Sequence, residues 1–582
     1  MGPERKICQN CKQDFTIEPE DFDFYERIEV PPPTWCPECR LIRRLTFRNA
    51  RTIYKRRVEG TDKEVISVFS QNSPLKVYSQ DLWWSDKWNA MDYGRDYDFT
   101  KPFFEQLKDL MRAVPWPCTY RQFSENSEYC INVAEVKDCY LMFNTGSSEG
   151  CSYGSDVLRS QRCFDCTKID GCSLSYGLFD CEKCFKCVGS SHCRECTDVW
   201  FSANLTNCRD CVGCVNLRHK QYHIFNKPFT KEEYFNRLTE FKMNSWAGFN
   251  EVLRHSGELR MALPVKFMHG FQNNGVQGDY VSHSRNCRRV FYSSNLENCV
   301  DCQFILFAPS SNSRDITIAG GDLCYENEEV GAYGAKFTWF SGTAKLSTGA
   351  LGYEYSMNCF DSHHLFGCVG VGHKEHCILN KQYTKEEYES LLPKIKKHMA
   401  DQSYVDAMGR RYAYGEFFPS ELSPFMYNET LAQDIFPLTK DTANANGHGW
   451  READVRDYKI TKQSKELPES IKDVSDSVLD EVIGCEHAGK CNCQCTTAFK
   501  ITPQELAFYR ELGLPLPHLC HNCRHVLRAK QRNPLKLWHR QCMCDKSSHS
   551  HSDYCPNEFE TSYAPERKEI VYCESCYNSE VV

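Results

Sequence analysis

The chain has little that would assign it to a membrane, an export route or a known catalytic class. No apolar run approaches the length of a membrane span, and the opening MGPERKICQN has no apolar stretch of a signal peptide. A reducing cytoplasmic location is therefore expected. No phosphate-binding loop, nucleophile elbow or convincing carboxylate pair is present, which points away from an enzyme. The net charge of −8 excludes wholesale coating of nucleic acid but leaves room for local basic patches. Two stretches lack acidic residues altogether. Residues 39–57 hold eight Lys or Arg and no acid, and residues 512–544 also hold none.

Cysteine, by contrast, is abundant: 37 among 582 residues, an odd number. In a reducing compartment such a count reads as thiols and metal ligands rather than as a disulfide frame. The length is too great for one core and implies three or more domains.

Fifteen of the cysteines lie between residues 118 and 214, as in DCEKCFKCVGSSHCREC, and every gap between neighbours is a multiple of three. A 21-residue beat is also visible, in Cys130, Cys151, Cys172, Cys193 and Cys214 and again in Cys166, Cys187 and Cys208. Every third position from Ser124 to Leu217 is Cys, Ser, Thr, Gly, Val, Ile, Leu or Met, over 32 positions. That pattern predicts a β-solenoid with a narrow dry interior and about 21 residues per coil, in which small side chains and buried thiols stack between coils. The structural reading of these thiols outweighs a metal cluster. A second copy follows from Val281, with small or apolar residues at every third place to Ser311. Its frame slips in SSNSRDITIAGGDLCYENEE and resumes at Cys359, Cys368 and Cys377. Both copies end alike, in HIFNKPFTKEEYFNRL and CILNKQYTKEEYESLL, where Thr230/Glu233 and Thr384/Glu387 form capping boxes of a closing helix.

Metal is expected at the termini. Cys8 and Cys11 form one knuckle and Cys36 and Cys39 a second, four soft thiolates suited to tetrahedral zinc. A second set repeats the theme: Cys495 stands 25 residues before Cys520, as Cys11 does before Cys36, with Cys523 completing the knuckle. Asn492 occupies the place of Cys8, so Cys491 or Cys493 must complete the set. Cys491 is preferred because its three-residue gap closes with less strain, and Cys485 and His487 remain competitors. In the third set Cys573 and Cys576 form a knuckle, Cys542 and Cys544 are its expected partners, and Cys555, His549 and His551 are alternatives. Three zinc ions follow, with none in 118–377.

The run Cys-x2-Cys, Phe, then FYERIEVPPPTWCPECR resembles the probable zinc-ribbon family of small treble-clef modules. From CPECR and DLWWSDKW through FNKPFTKEEY to LPHLCHNCRH and VYCESCY, nearly the whole chain resembles large cysteine-rich zinc-ribbon proteins of candidate-phyla bacteria. The resemblance implies the architecture and zinc, and carries no activity with it.

A treble clef opens a helix at its second knuckle. Arg40, Arg44, Arg48, Arg51 and Lys55 then share one helical face, and Arg524, Arg528 and Arg532 repeat the stripe before Pro534. Such stripes suit phosphates, so nucleic acid, RNA favoured, is the expected partner. Solvated faces, or pairing with acidic parts of the same chain, are the plainer alternatives. Trp83, Trp84, Trp88, Tyr93 and Tyr97 are expected as a lid on the first solenoid rather than a base-stacking platform. His363, His364, His373 and His376 are expected to face solvent.

The expected organisation is mainly β with α: a treble-clef module with its basic helix (1–60), an aromatic cap (61–117), a first solenoid (118–226), a helical insert (227–279) and a second solenoid (280–380). A helix and extended arm (381–484), a second treble clef (485–540) and a C-terminal knuckle (541–582) complete it. The expected function is a non-enzymatic zinc scaffold that binds structured RNA. The alternatives are a protein assembly factor using the solenoid faces, or an enzyme with a histidine site on the second solenoid. No membrane association is expected.

Overall fold

The computed structural model describes residues 2–306, 308–342, 350–452, 458–549 and 551–581. It is a mixed α/β chain with many short strands. Two compact units account for it. The first comprises Met1–Tyr120, Met268–Arg451 and Leu535–Leu537, and the second Arg121–Phe267, Glu452–Pro534 and Trp538–Val582. Among the described residues no helix is long and apolar enough to cross a membrane.

The second unit is built on a pile of short parallel strands. Arg121 pairs with Val133, Ile131 with Phe143, Phe143 with Ser155, Ser155 with Thr167 and Thr167 with Phe179. Each partner lies twelve residues on, and the same offset continues through Thr197↔Arg209 and Arg209↔Gln221. The expected repeat of about 21 residues is therefore corrected to 12. Both numbers are multiples of three, and the 21-residue beat only reports the three-residue inward frame. Cys172 stacks between Ser160 and Cys184, its neighbours at twelve, and Cys193 belongs to a different column.

The three-residue frame has a backbone cause. In the stretch 180–196, Asp180, Lys183, Lys186, Gly189, His192 and Glu195 all have φ between 51° and 58°. A left-handed residue at every third place turns the chain, and the residue after it points inward; Asn, Asp and Gly tolerate that conformation best.

The inward columns are not equivalent. Where the backbone N–H of an inward residue faces the residue twelve places earlier, the side chain there accepts it. Cys172 N–H donates to Ser160 Oγ at 3.1 Å, Cys184 N–H to Cys172 Sγ at 3.4 Å and Cys187 N–H to Ser175 Oγ at 3.1 Å. The thiol of Cys172 in turn donates to the carbonyls of Asp170 and Cys181, both at 3.6 Å. Cys and Ser share these columns because each both donates and accepts. The column of Val157, Ile169, Cys181, Cys193 and Leu205 is apolar by contrast. Cys172→Ala should thus cost about 1–3 kcal/mol, because it orphans the Cys184 N–H and leaves a void, whereas Cys172→Ser keeps the acceptor and should cost less. Urea denaturation of the two variants checks this, and equal losses would contradict the acceptor role.

Burial raises the thiols of four core cysteines. It pushes Cys130 and Cys377 up to about 11 and Cys324 and Cys359 up to about 12, whereas hydrogen bonds from neighbouring thiols pull Cys184 down.

In the first unit the parallel pile is less regular. Offsets run eleven at Asn274↔Arg285, twelve at Val281↔Ser293, fourteen at Leu296↔Ser310, eleven at Arg314↔Tyr325 and twelve at Leu351↔His363. Eleven and fourteen are not multiples of three, which explains the slipped frame. Ser310 and Ser313 are the buried residues there while Ser311 is half-buried, so the slip comes earlier than Ser311.

Both piles finish in a short antiparallel strand and a helix, Lys231–Glu240 and Lys385–Asp401. The capping boxes on Thr230 and Thr384 are formed. The tryptophan segment caps the second pile rather than the first. Trp83 is buried against Trp88, with ring centroids 4.5 Å apart, and Trp88 packs on the core of Val281, Cys287 and Cys377. His363, His364 and His373 are exposed, and His364 stacks on His376 with centroids 5.3 Å apart.

Candidate metal centres

The first centre forms where two strands, Glu4–Ile7 and Asp14–Ile17, meet a helix, Pro37–Leu45. The knuckle between the strands closes with Cys8 N–H donating to Gln13 O at 2.8 Å. Cys36 is the N-cap of the helix and Cys39 lies in its first turn, where backbone amides and the helix dipole favour thiolates. The sulfurs of Cys8, Cys11, Cys36 and Cys39 all lie within 4.8 Å of one another. A tetrahedral ion with bonds of about 2.3 Å needs sulfurs roughly 3.8 Å apart, and Cys11 and Cys36 stand at 3.8 Å. Cys36 N–H donates to Cys8 Sγ at 3.2 Å, and Asn10 Nδ2 to Cys39 Sγ at 3.3 Å. Hydrogen bonds from Cys36 and Cys39 hold the Cys8 thiol well below its ordinary range.

In the second module the structure places Cys485, rather than the preferred Cys491, with Cys495, Cys520 and Cys523. Cys485 takes the place of Cys8: Cys520 N–H donates to its sulfur at 3.3 Å, as Cys36 N–H does to Cys8. The longer knuckle loop closes without a short gap because Ala488 and Gly489 take positive φ. Cys491 instead lies with His487, Cys493 and the same Cys523.

The third module follows suit. Cys542, Cys555, Cys573 and Cys576 form one group, and Cys573 N–H donates to Cys542 Sγ at 3.1 Å. Cys544, expected in that set, lies instead with His549, His551 and Cys576. Burial pushes the Cys573 thiol up, but hydrogen bonds from Asn557 and Ser575 bring it down to about 6. Five groups of four ligands are thus present among the described residues, all at the three terminal modules.

The arginine stripes are not open faces, which corrects their expected role as phosphate contacts. In the first unit Arg40 makes two bonds to Asp315, at 3.1 and 2.8 Å, and Arg44 NH1 reaches the same carboxylate at 3.0 Å. Arg43 bridges Glu326 at 2.8 Å and Glu416 at 3.0 Å. Arg48 pairs with Glu328 and Glu329, and Arg51 with Asp434 at 3.4 Å. Burial pushes the Glu326 carboxyl up to about 7 against the pull of Arg43 and Arg40. The helix ends at Leu45, so the expected helical face does not extend to Arg48, Arg51 and Lys55, and Lys55 lies exposed on the strand Tyr54–Arg57.

The second unit contains the same joint. Arg524 Nε lies 2.9 Å and Arg528 NH1 2.8 Å from the Asp165 carboxylate. Arg44 Nε donates to Thr317 Oγ1 at 3.2 Å and Arg528 Nε to Thr167 Oγ1 at 3.4 Å. In both units, then, the helix behind a cysteine knuckle sends arginines one and five places past the last cysteine into an Asp-x-Thr on its own strand pile. Arg532 is half-buried. Sequence reasoning missed Asp165, Thr167, Asp315 and Thr317; the repeated Asp-x-Thr was the available signal.

No family model matches the chain, and no curated protein matches it. Among solved structures, a chain from Desulfovibrio desulfuricans G20 described as an acetyltransferase is 10% identical. That match covers 53% of this chain and 79% of the other, with a TM-score of 0.13. At that score the likeness carries no argument about fold or activity.

Proposed function

We propose that the chain is a zinc-dependent, non-enzymatic scaffold in which treble-clef modules clamp two cysteine-lined β-solenoids of about twelve residues per coil. Zinc is the ion that sets rich in thiolate, with or without histidine, at tetrahedral spacing favour. One observation carries the reading: in each unit two arginines, positioned by a cysteine knuckle, meet at one buried aspartate of the strand pile. An ion held in the knuckle fixes the start of the helix, and the helix delivers its guanidiniums in register to the pile. The metal is thereby coupled to the integrity of the whole unit.

This use of the arginines favours a protein partner over nucleic acid, since guanidiniums committed to internal carboxylates are not free for phosphates. Reduced, hydrogen-bonded core thiols suit a reducing cytoplasm. The test is titration of a labelled structured RNA at several salt concentrations. A shallow dependence is expected. A slope corresponding to six or more phosphate contacts, about −0.7 to −0.9 per contact, would restore the nucleic-acid reading.

A further inference from the structure

We propose that the second and third modules each hold a pair of metal ions joined by one bridging thiolate, Cys523 in the second and Cys576 in the third. This rests on the zinc-scaffold reading and raises the content of the chain from three ions to five.

The two modules share a plan that the first lacks. In the first, Cys8 and Cys11 are separated by the two residues of an ordinary knuckle. In the second, the corresponding pair is Cys485 and Cys495, and the inserted loop carries His487, Cys491 and Cys493. In the third, the pair is Cys542 and Cys555, and the loop carries Cys544, His549 and His551. Each insertion supplies three ligands, and each set is completed by the last cysteine of the module's other knuckle. The module without an insertion has a single group.

Spacing supports two ions rather than one ion with spare ligands. Cys523 Sγ stands 3.9 Å from Cys485 Sγ and 3.6 Å from Cys491 Sγ, one partner from each group. Both separations match an edge of a tetrahedron with bonds of about 2.3 Å. Cys576 Sγ lies 3.4 Å from His551 Nε2, and Cys544 Sγ 3.0 Å from His549 Nδ1.

The imidazoles are also prepared as ligands. His549 turns its other nitrogen to the Glu580 carboxylate at 3.1 Å, and His551 directs Nδ1 to the carbonyl of Asp553 at 2.6 Å. Such outer contacts fix the tautomer and leave the inner nitrogen unprotonated for a metal. His487 Nδ1 is buried with no hydrogen-bond partner, a state that a bond to an ion would relieve. Six thiolates and one imidazole around two divalent ions leave a charge of −2 in the second module; five thiolates and two imidazoles leave −1 in the third. Both centres have closed coordination and are structural.

The experiment uses the full chain, purified under reducing, chelator-free conditions, with metal counted by elemental analysis and native mass spectrometry. Five zinc ions per chain are expected. His487→Ala/Cys493→Ser and His549→Ala/His551→Ala should each lower the count to four and leave the other centres loaded. In the cobalt(II)-substituted chain, bridged pairs should couple, so the low-temperature spin count should approach one cobalt of the five. In the combined four-residue variant it should rise to three. Three ions in the wild type would overturn the pairs while leaving the zinc scaffold intact. Fewer than three would overturn the scaffold reading itself. Five ions with uncoupled spins would overturn the bridging role of Cys523 and Cys576.

Discussion

Asp315→Ala should unfold the first unit or bring it to the edge of unfolding. Asp315 is fully buried, and its carboxylate receives Arg40 and Arg44, themselves buried. Removing it leaves two desolvated guanidiniums short of a partner, and breaking one buried pair typically costs about 3–5 kcal/mol. A whole domain is stable by only about 5–15 kcal/mol. The parallel change in the second unit, Asp165→Ala, strips Arg524 and Arg528 in the same way. Circular dichroism melting and limited proteolysis should show the loss confined to the unit that carries the substitution. Replacing Arg40 and Arg44 by Met together with Asp315→Leu should recover much of the stability, since apolar groups of similar volume need no counter-charge. Wild-type melting of Asp315→Ala would mean that these pairs are incidental.

Removing the proposed zinc should have a still larger effect. Structural zinc in small modules contributes about 10–16 kcal/mol of apparent binding free energy at neutral pH, and that energy is spent on folding. The helix behind the knuckle of Cys8, Cys11, Cys36 and Cys39 starts at Cys36, its N-cap, with Cys39 in its first turn. A strong chelator should therefore melt the helices Pro37–Leu45 and His521–Ala529 and release their arginines. The buried carboxylates of Asp315 and Asp165 would then lose their partners as they do in the substitutions. Hydrogen exchange should show both helices losing protection on chelation, followed by the strand Arg314–Ala319 that carries Asp315 and the strands Gln161–Phe164 and Thr167–Asp170 that flank Asp165. Retention of full protection in metal-free protein would show that the knuckles fold without an ion.

Local spacing and tertiary partnership differ in how far they can be read from the chain. The Cys8, Cys11, Cys36 and Cys39 group was legible because each knuckle is a three-residue interval and needs no distant information. The inward frame of the regular strand pile in the second unit was legible for the same reason: every third residue there faces in, whatever the repeat length. Coil length itself was hidden, because 12 and 21 share the factor of three and only strand register separates them. Arg40, Arg44, Arg524 and Arg528 were visible as one helical face. A face of charge reads as solvated or phosphate-binding until its partner is seen, and Asp315 lies more than 270 residues from Arg40. Spacing ranks Cys491 above its competitor Cys485 because a short gap closes easily, while residues with positive φ make the longer loop available. From spacing alone His487 and Cys493 read as alternatives to Cys491, and Cys555, His549 and His551 as alternatives to Cys542 and Cys544. The structure gathers them into two groups per module, which a search for one ion per knuckle pair could not anticipate.

The claim that the arginines serve the fold is tested most directly by a double-mutant cycle on Arg528 and Asp165, measured by chemical denaturation of the second unit within the full chain. Arg528→Ala, Asp165→Ala and the double variant should give a coupling of about 1–3 kcal/mol, as for contacting residues that share a buried charge. Additive losses, with no coupling between the two positions, would contradict it.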